Sequence, residues 1–271
     1  NAVLGRGNVL SERQLFSVVA PPAAPGSVRF YWRARTYDTY NNGQWLSTLT
    51  QKKLYNPDNE PRTIQRSETR WLGSFTFISA IHMSVLFVPP QPVWVNHSGE
   101  IEYVEYPEDQ REINVFRASP SITPGEVYQA GGVLNNATIA DLRAAGEDYP
   151  EWVIAQYLQL DDSVTERTRL LALEITTGLE TPYDKVEAIT RYLRENMTYI
   201  EALEERIPVT QEPVDWFLFD SKKGFCNYYS SAEIVMLRSL GIPARWAVGY
   251  AQGEHTEEGR FLVREKDGHS W

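Results

Sequence analysis

Cys226 is the only cysteine in the chain, and it stands where a helix should begin. From there Tyr229, Ala232, Met236 and Leu240 recur at helical spacing with Val235 beside them, which predicts one buried face of about four turns. Gly241 occupies the position of a left-handed C-cap, and Pro243 forbids continuation. The free amides of a first turn and the positive end of the helix dipole suit an anionic sulfur at Cys226. Gly224, two residues earlier, would let other backbone or a substrate approach. A lone cysteine is more often a small buried hydrophobe than a nucleophile, so a partner is required. His269 supplies one: it follows a predicted hairpin, Gly253 to Arg264, whose return strand could carry it to the helix terminus. A thiolate beside an imidazole performs acyl transfer, the sulfur attacking an amide carbonyl and the imidazole protonating the departing amine. The tetrahedral oxyanion needs two donors. The Cys226 amide is one, and Tyr199 and Trp216 are the upstream candidates for the other.

The remaining histidines offer less. His82 and His97 have no ligand-type neighbours and read as structural or surface groups. His255 lies beside Glu254, Glu257 and Glu258, but no second ligand set converges there, so a solvated turn is expected and no metal or cofactor.

Two kinds of elements must position these groups. Up to residue 118, Gln14–Ala20, Val28–Thr36, Thr69–Ser79, Val85–Asn96, Glu100–Tyr106 and Glu112–Ala118 read as strands rich in Val, Phe, Tyr and Trp. Pro21 to Gly26 interrupts them, and Asn42-Gly43 between Tyr40 and Trp45 is a hairpin signal. Strands at this spacing suggest a sandwich-like domain over residues 1–130 with no chemical constellation of its own. Ser119 to Gly132 reads as a linker or a final strand. Helices follow near 137–143, 149–159, 165–177 and 183–196, the last with Thr181 as N-cap, Pro182 at its first position and Val186, Ile189, Leu193 and Met197 as its apolar stripe. The fold class is α+β, with a second domain over 131–271.

At this point three motifs stand in order: Gly224-Phe225-Cys226, the run Leu237 to Arg245 (LRSLGIPAR), and His269-Ser270-Trp271. Together they resemble the transglutaminase-like superfamily of papain-type thiol enzymes, with serine where that pattern has alanine. The resemblance implies a core in which the Cys helix packs on antiparallel strands, a Cys226/His269 pair, and protein or peptide amides as substrates. It also implies an aspartate on the strand after the histidine, so the third member is expected beyond Trp271 and the core is expected to be truncated at its C-terminal end. Asp267 is expected to share a strand face with His269, and Glu265 to lie further back; neither suits the third role. Arg29 to Trp45 (RFYWRARTYDTYNNGQW) is similar to a stretch preceding the core in the TgpA-like group of bacterial membrane-anchored proteins. This implies an extracytoplasmic region of a membrane-anchored parent. A catalytically inactive module that keeps the fold for binding or structure is the alternative.

Composition sets outer limits. With 42% hydrophobic residues and 8 tryptophans, core material is ample and disorder is excluded. No run approaches the length of a membrane span. Residues 1–130 hold 12 basic and 12 acidic side chains, leaving 14 and 24 for residues 131–271, so all of the net charge of −10 lies in the half with Cys226. That argues against nucleic acid as its partner.

Overall fold

The computed structural model describes residues 2–5, 7, 11–22, 29–59, 68–106 and 110–271. Most of the expected Pro21–Gly26 break and the start of the expected Val28–Thr36 strand lie outside these residues; the strand itself runs Tyr31–Tyr37.

Two hydrophobic cores organise the molecule. The first lies between two antiparallel sheets. One sheet has the order Glu254–His255, Arg260–Arg264, Gln14–Val19, Arg70–Ser79, Val127–Asn135 and Gln91–Val95; the other is Gln51–Tyr55, Gly99–Tyr106, Gln110–Ile122 and Met83–Leu86. Period-two alternation buries Phe75 and Phe77 of Arg70–Ser79, with Phe16, Tyr128, Ile101 and Phe116 beside them. The expected strand Val85–Asn96 is two strands, Met83–Leu86 and Gln91–Val95. Pro89 and Pro90 divide it, because neither offers an amide to a ladder. Of the two readings for Ser119 to Gly132, linker or final strand, the structure shows strand: the stretch belongs to the strands that end at Ile122 and begin at Val127.

The second core surrounds the helix Cys226–Ser239 and holds Ile189, Leu193, Phe217, Tyr228, Ala232, Val235, Met236 and Trp246. Helices Glu166–Ile175 and Pro182–Asn196 pack against it. Thr181 caps the latter, its side chain accepting from the Asp184 amide, with Pro182 in the first turn. Asp215–Phe219 forms the junction of a short helical turn, Pro213–Asp215, and a π-helix, Trp216–Ser221.

Each core borrows from the other half of the chain. The early hairpin Thr39–Asn41/Gln44–Leu46 turns at Asn42 (φ 43°) and Gly43 (φ 77°), as a type I′ turn needs. It drives Trp45 under the Cys helix, where its indole nitrogen donates to Ser231 Oγ at 2.9 Å. In the opposite direction, Arg260–Arg264 completes the first sheet beside Gln14–Val19. The strand Tyr31–Tyr37 pairs with Trp246–Ala251, which pairs in turn with Gly268–Ser270. Residue 131, the expected domain boundary, falls inside the strand Val127–Asn135. Glu112 joins the halves by pairing with Arg245, and it lies 3.6 Å from buried Arg33, which donates to the Pro90 and Ile113 carbonyls at 2.9 and 2.5 Å.

Candidate thiol site

Cys226 is the first residue of its helix, with Phe225 as N-cap. At the far end Gly241 takes φ 79° and the Ile242 amide donates back to the Leu237 carbonyl at 3.0 Å, a left-handed closure ahead of Pro243. The helix differs from the expected single stripe. Tyr228, Ser230, Ser231, Ile234 and Leu237 are buried along with Ala232, Val235 and Met236. The helix is enclosed nearly all round, by helices on one side and by the sheet of Trp246 and Ser270 on the other. Gly224 is required for packing: a Cβ there would stand 2.8 Å from the Tyr228 Cβ and 2.9 Å from the Phe217 ring.

The first turn of the helix is tied to the strand that carries His269. Ser270 Oγ donates to Asn227 Oδ1 at 2.9 Å and lies 3.0 Å from Ser230 Oγ. Ser230 Oγ is also 2.8 Å from the Cys226 carbonyl and receives the Trp246 indole N–H at 2.8 Å. The Cys226 thiol donates to the same Asn227 Oδ1 at 3.5 Å. Cys226 and His269 therefore flank one Asn227–Ser270 hydrogen bond, each a single residue from it. The thiol's own hydrogen bond goes to Asn227, not to the imidazole. Sequence reading passed over Asn227 and Ser230 and treated the Ser270 hydroxyl as a mild departure; here that hydroxyl is buried and bonded on two sides.

His269 stands opposite Gly249 in the ladder, while Ser270 stands opposite Val248. Successive side chains alternate in a strand, so Ser270 faces the Cys helix and His269 the other face. There its imidazole is stacked on Tyr31, with centroids 5.6 Å apart and planes at 20°. Burial, and secondarily the charge of Arg29, hold the imidazole below the ordinary histidine value. Neither nearby acid orients it. Asp267 lies in a 3₁₀ turn, Glu265–Asp267, and not on the histidine's strand; its carboxylate accepts the Arg264 amide at 2.7 Å. Glu265 accepts from the Ser11 hydroxyl.

Of the two oxyanion candidates, Tyr199 lies beside Cys226 and Trp216 does not. A short parallel ladder pairs Thr198–Tyr199 with Lys223–Gly224 and so delivers Tyr199 to the start of the Cys helix. Burial and then the neighbouring Cys226 sulfur raise its phenol. Trp216 is buried in the helical core with its ring 6.4 Å from that of Tyr228. Among the described residues no hydrogen bond or ring contact joins it to Cys226 or His269. His255 sits against Phe261, ring centroids 4.9 Å apart, and His97 Nδ1 is 2.7 Å from the Ser98 carbonyl. Among the described residues no cluster of three potential metal ligands occurs.

Residues 169–271 match the family model of the transglutaminase-like superfamily. The uncharacterized protein YebA of Bacillus subtilis is 32% identical over 266 residues, covering 91% of this chain and 35% of that protein. A protein-glutamine gamma-glutamyltransferase of Pseudomonas aeruginosa is 38% identical over 117 residues, 42% of this chain and 17% of that protein. The chain thus spans about a third or less of the curated relatives it matches. The crystal structure of the periplasmic domain of TgpA from Pseudomonas aeruginosa superposes with a TM-score of 0.66 at 20% identity, covering 100% of this chain and 89% of that one. It shares the fold.

Proposed function

We propose, from the membership of residues 169–271 in the transglutaminase-like superfamily, that this chain performs Cys226/His269-dependent acyl transfer on protein or peptide amides. The observation that carries the reading is the shared hydrogen bond at the helix start. It seats the sole thiol and the strand of His269 on opposite sides of Asn227 and Ser270.

In the reaction, the imidazole, kept neutral by burial and by Arg29, takes the thiol proton as the sulfur leaves Asn227 and bonds to the amide carbonyl carbon. In the structure the imidazole lies on the sheet face away from the Cys helix, so the transfer requires it to turn toward the sulfur, catalytic contacts in unliganded sites commonly closing only with substrate. The oxyanion forms at the Cys226 amide, with the Tyr199 hydroxyl as second donor. Collapse breaks the C–N bond, and the imidazolium gives its proton to the departing amine. A primary amine or water then attacks the thioester, losing its proton to His269, and the C–S bond breaks. The acid that orients His269 is proposed to follow Trp271, as the family resemblance implies.

The products decide between transfer and hydrolysis. The chain is incubated with a glutamine peptide, with and without a primary amine, and the peptide mass is followed. An amine adduct marks transfer, and conversion of the amide to acid or cleavage of the peptide marks hydrolysis. Both must vanish in Cys226→Ala. Absence of any product would leave the inactive binding module as the reading.

We further propose that the chain works on the extracytoplasmic side of the membrane as part of a membrane-anchored parent. The fold shared with a periplasmic domain supports this. Among the described residues no helix is long and apolar enough to cross a membrane. Digestion of the parent protein by external protease in spheroplasts, but not by cytoplasmic protease, is the expected result.

A further inference from the structure

The strand Tyr31–Tyr37 lies within the stretch Arg29 to Trp45, of which acyl transfer as described uses only the charge of Arg29. Yet this strand reaches the imidazole. In the three-stranded sheet the middle strand Trp246–Ala251 separates Tyr31–Tyr37 from Gly268–Ser270. Strands two apart lie roughly 9–10 Å from each other, and side chains between them would normally keep their rings apart. Here Ala251 stands opposite Tyr31 and Gly249 opposite His269. Both small residues lie on one face, two positions apart, so the rings of the outer strands meet over the middle one. Tyr31 and His269 stack at 5.6 Å and 20°. Trp271 closes the group, 4.8 Å from the Tyr31 ring and 6.5 Å from His269 at 15°. The Arg29 guanidinium lies 5.6 Å from the centroid of the same Tyr31 ring. A histidine with an orienting carboxylate is fixed at a ring nitrogen; here the ring plane itself is held, by an aromatic face from the other half of the chain.

We infer that Tyr31 is a positioning residue for His269: its ring, laid on the imidazole across Gly249 and Ala251, fixes the plane of the imidazole. The inference rests on the reading of Cys226 and His269 as the reacting pair. Tyr31 touches neither substrate nor sulfur and acts through the imidazole alone.

Two measurements on the 271-residue chain test it. The first needs no turnover: the carbon-bound imidazole protons of His269 are followed by NMR, assigned by their loss in His269→Gln. In Tyr31→Leu they should move downfield as the shielding ring is removed, and in Tyr31→Phe they should stay near their original positions. Unmoved resonances in Tyr31→Leu overturn the proposal whatever the activity. The second is amide turnover. Tyr31→Leu should lower kcat about threefold to tenfold with KM little changed, the range expected for one aromatic pair, and Tyr31→Phe should recover most of it. A cooperative melt near that of the unaltered chain confirms that Tyr31→Leu is folded. Full activity of Tyr31→Leu, in a preparation whose activity Cys226→Ala abolishes, also overturns the proposal. If the unaltered chain has no turnover, the NMR result alone decides whether Tyr31 holds the imidazole.

Discussion

The thiol side and the imidazole side of the site are built in opposite ways. Cys226 is placed mostly by neighbours in sequence, the N-cap Phe225, the packed Gly224 and the helix it opens, with the ladder from Thr198–Tyr199 and the Asn227–Ser270 bond added from further off. His269 is placed by a sheet with one strand from the beginning and two from the end of the described chain. A helix start announces itself locally, through its cap, its stripe and its stop. A sheet register does not, because it depends on which distant strand pairs with which. The nucleophile is accordingly robust to changes elsewhere, whereas its base is exposed to every change in the early strand.

Substitutions can break this contrast or sharpen it. Cys226→Ala should abolish turnover and His269→Gln should lower it by at least about 10³, with little loss of stability in the cysteine variant because a helix start loses little packing volume. Turnover and thermal melting together check this. If Cys226→Ala instead unfolds the chain, the thiol side is not the robust one. Gly249→Ala comes next. A Cβ there would stand 2.0 Å from the Trp32 carbonyl oxygen, backbone that does not yield cheaply, at the bulge between Val248 and Gly249. A destabilisation of about 3 kcal/mol is expected. Turnover should fall steeply while alkylation of Cys226 by iodoacetamide continues at nearly the original rate. An equal fall in both would show the two sides to be one mechanical unit.

The pH profile measures the imidazole side alone. Because His269 is held below the ordinary value of about 6.5, it stays neutral and able to accept a proton to lower pH. The acid limb of kcat/KM should therefore lie below pH 6.5, and Arg29→Gln, which removes an exposed positive charge, should move it upward. A limb unchanged by Arg29→Gln would assign the depression to burial alone. The smallest effect is expected from Ser270→Ala, which restores the alanine of the family pattern. It removes one buried hydroxyl and its bonds to Asn227 and Ser230, at a cost of about 1 kcal/mol, with turnover within a few-fold.

What could be read in the sequence follows the same division. Thr181, Pro182 and Asp184 defined the start of the helix Pro182–Asn196, and Gly241 with Pro243 defined the end of the Cys helix, since caps are written in adjacent residues. Asn42-Gly43 likewise gave its hairpin. The enclosure of the Cys helix was not legible, because Ser230, Ser231 and Arg238 look polar in sequence and are buried only through partners far away. Arg238, for example, donates to the Gln159 and Ala244 carbonyls and lies over the Trp45 ring. Asp267 looked like a strand residue two positions before His269; its carboxylate instead closes a turn, a local competition of the kind Asp wins readily. The step in charge and pattern near residue 131 is real in the sequence. It marks where the composition changes and not where the chain stops crossing between cores.

That crossing has a consequence in time. The strand Tyr31–Tyr37 is made early, but its ladder partner Trp246–Ala251 appears roughly 200 residues later, and Gln14–Val19 waits as long for Arg260–Arg264. Contacts so remote in sequence close slowly and late. While the chain is being synthesised, both early strands therefore present an unpaired edge, the state most open to wrong partners and most in need of a holding chaperone. The same delay means that the imidazole has no seat until the last strands have formed. Cys226 is synthesised before those strands, so a nascent or partly folded chain holds a sulfur without its base.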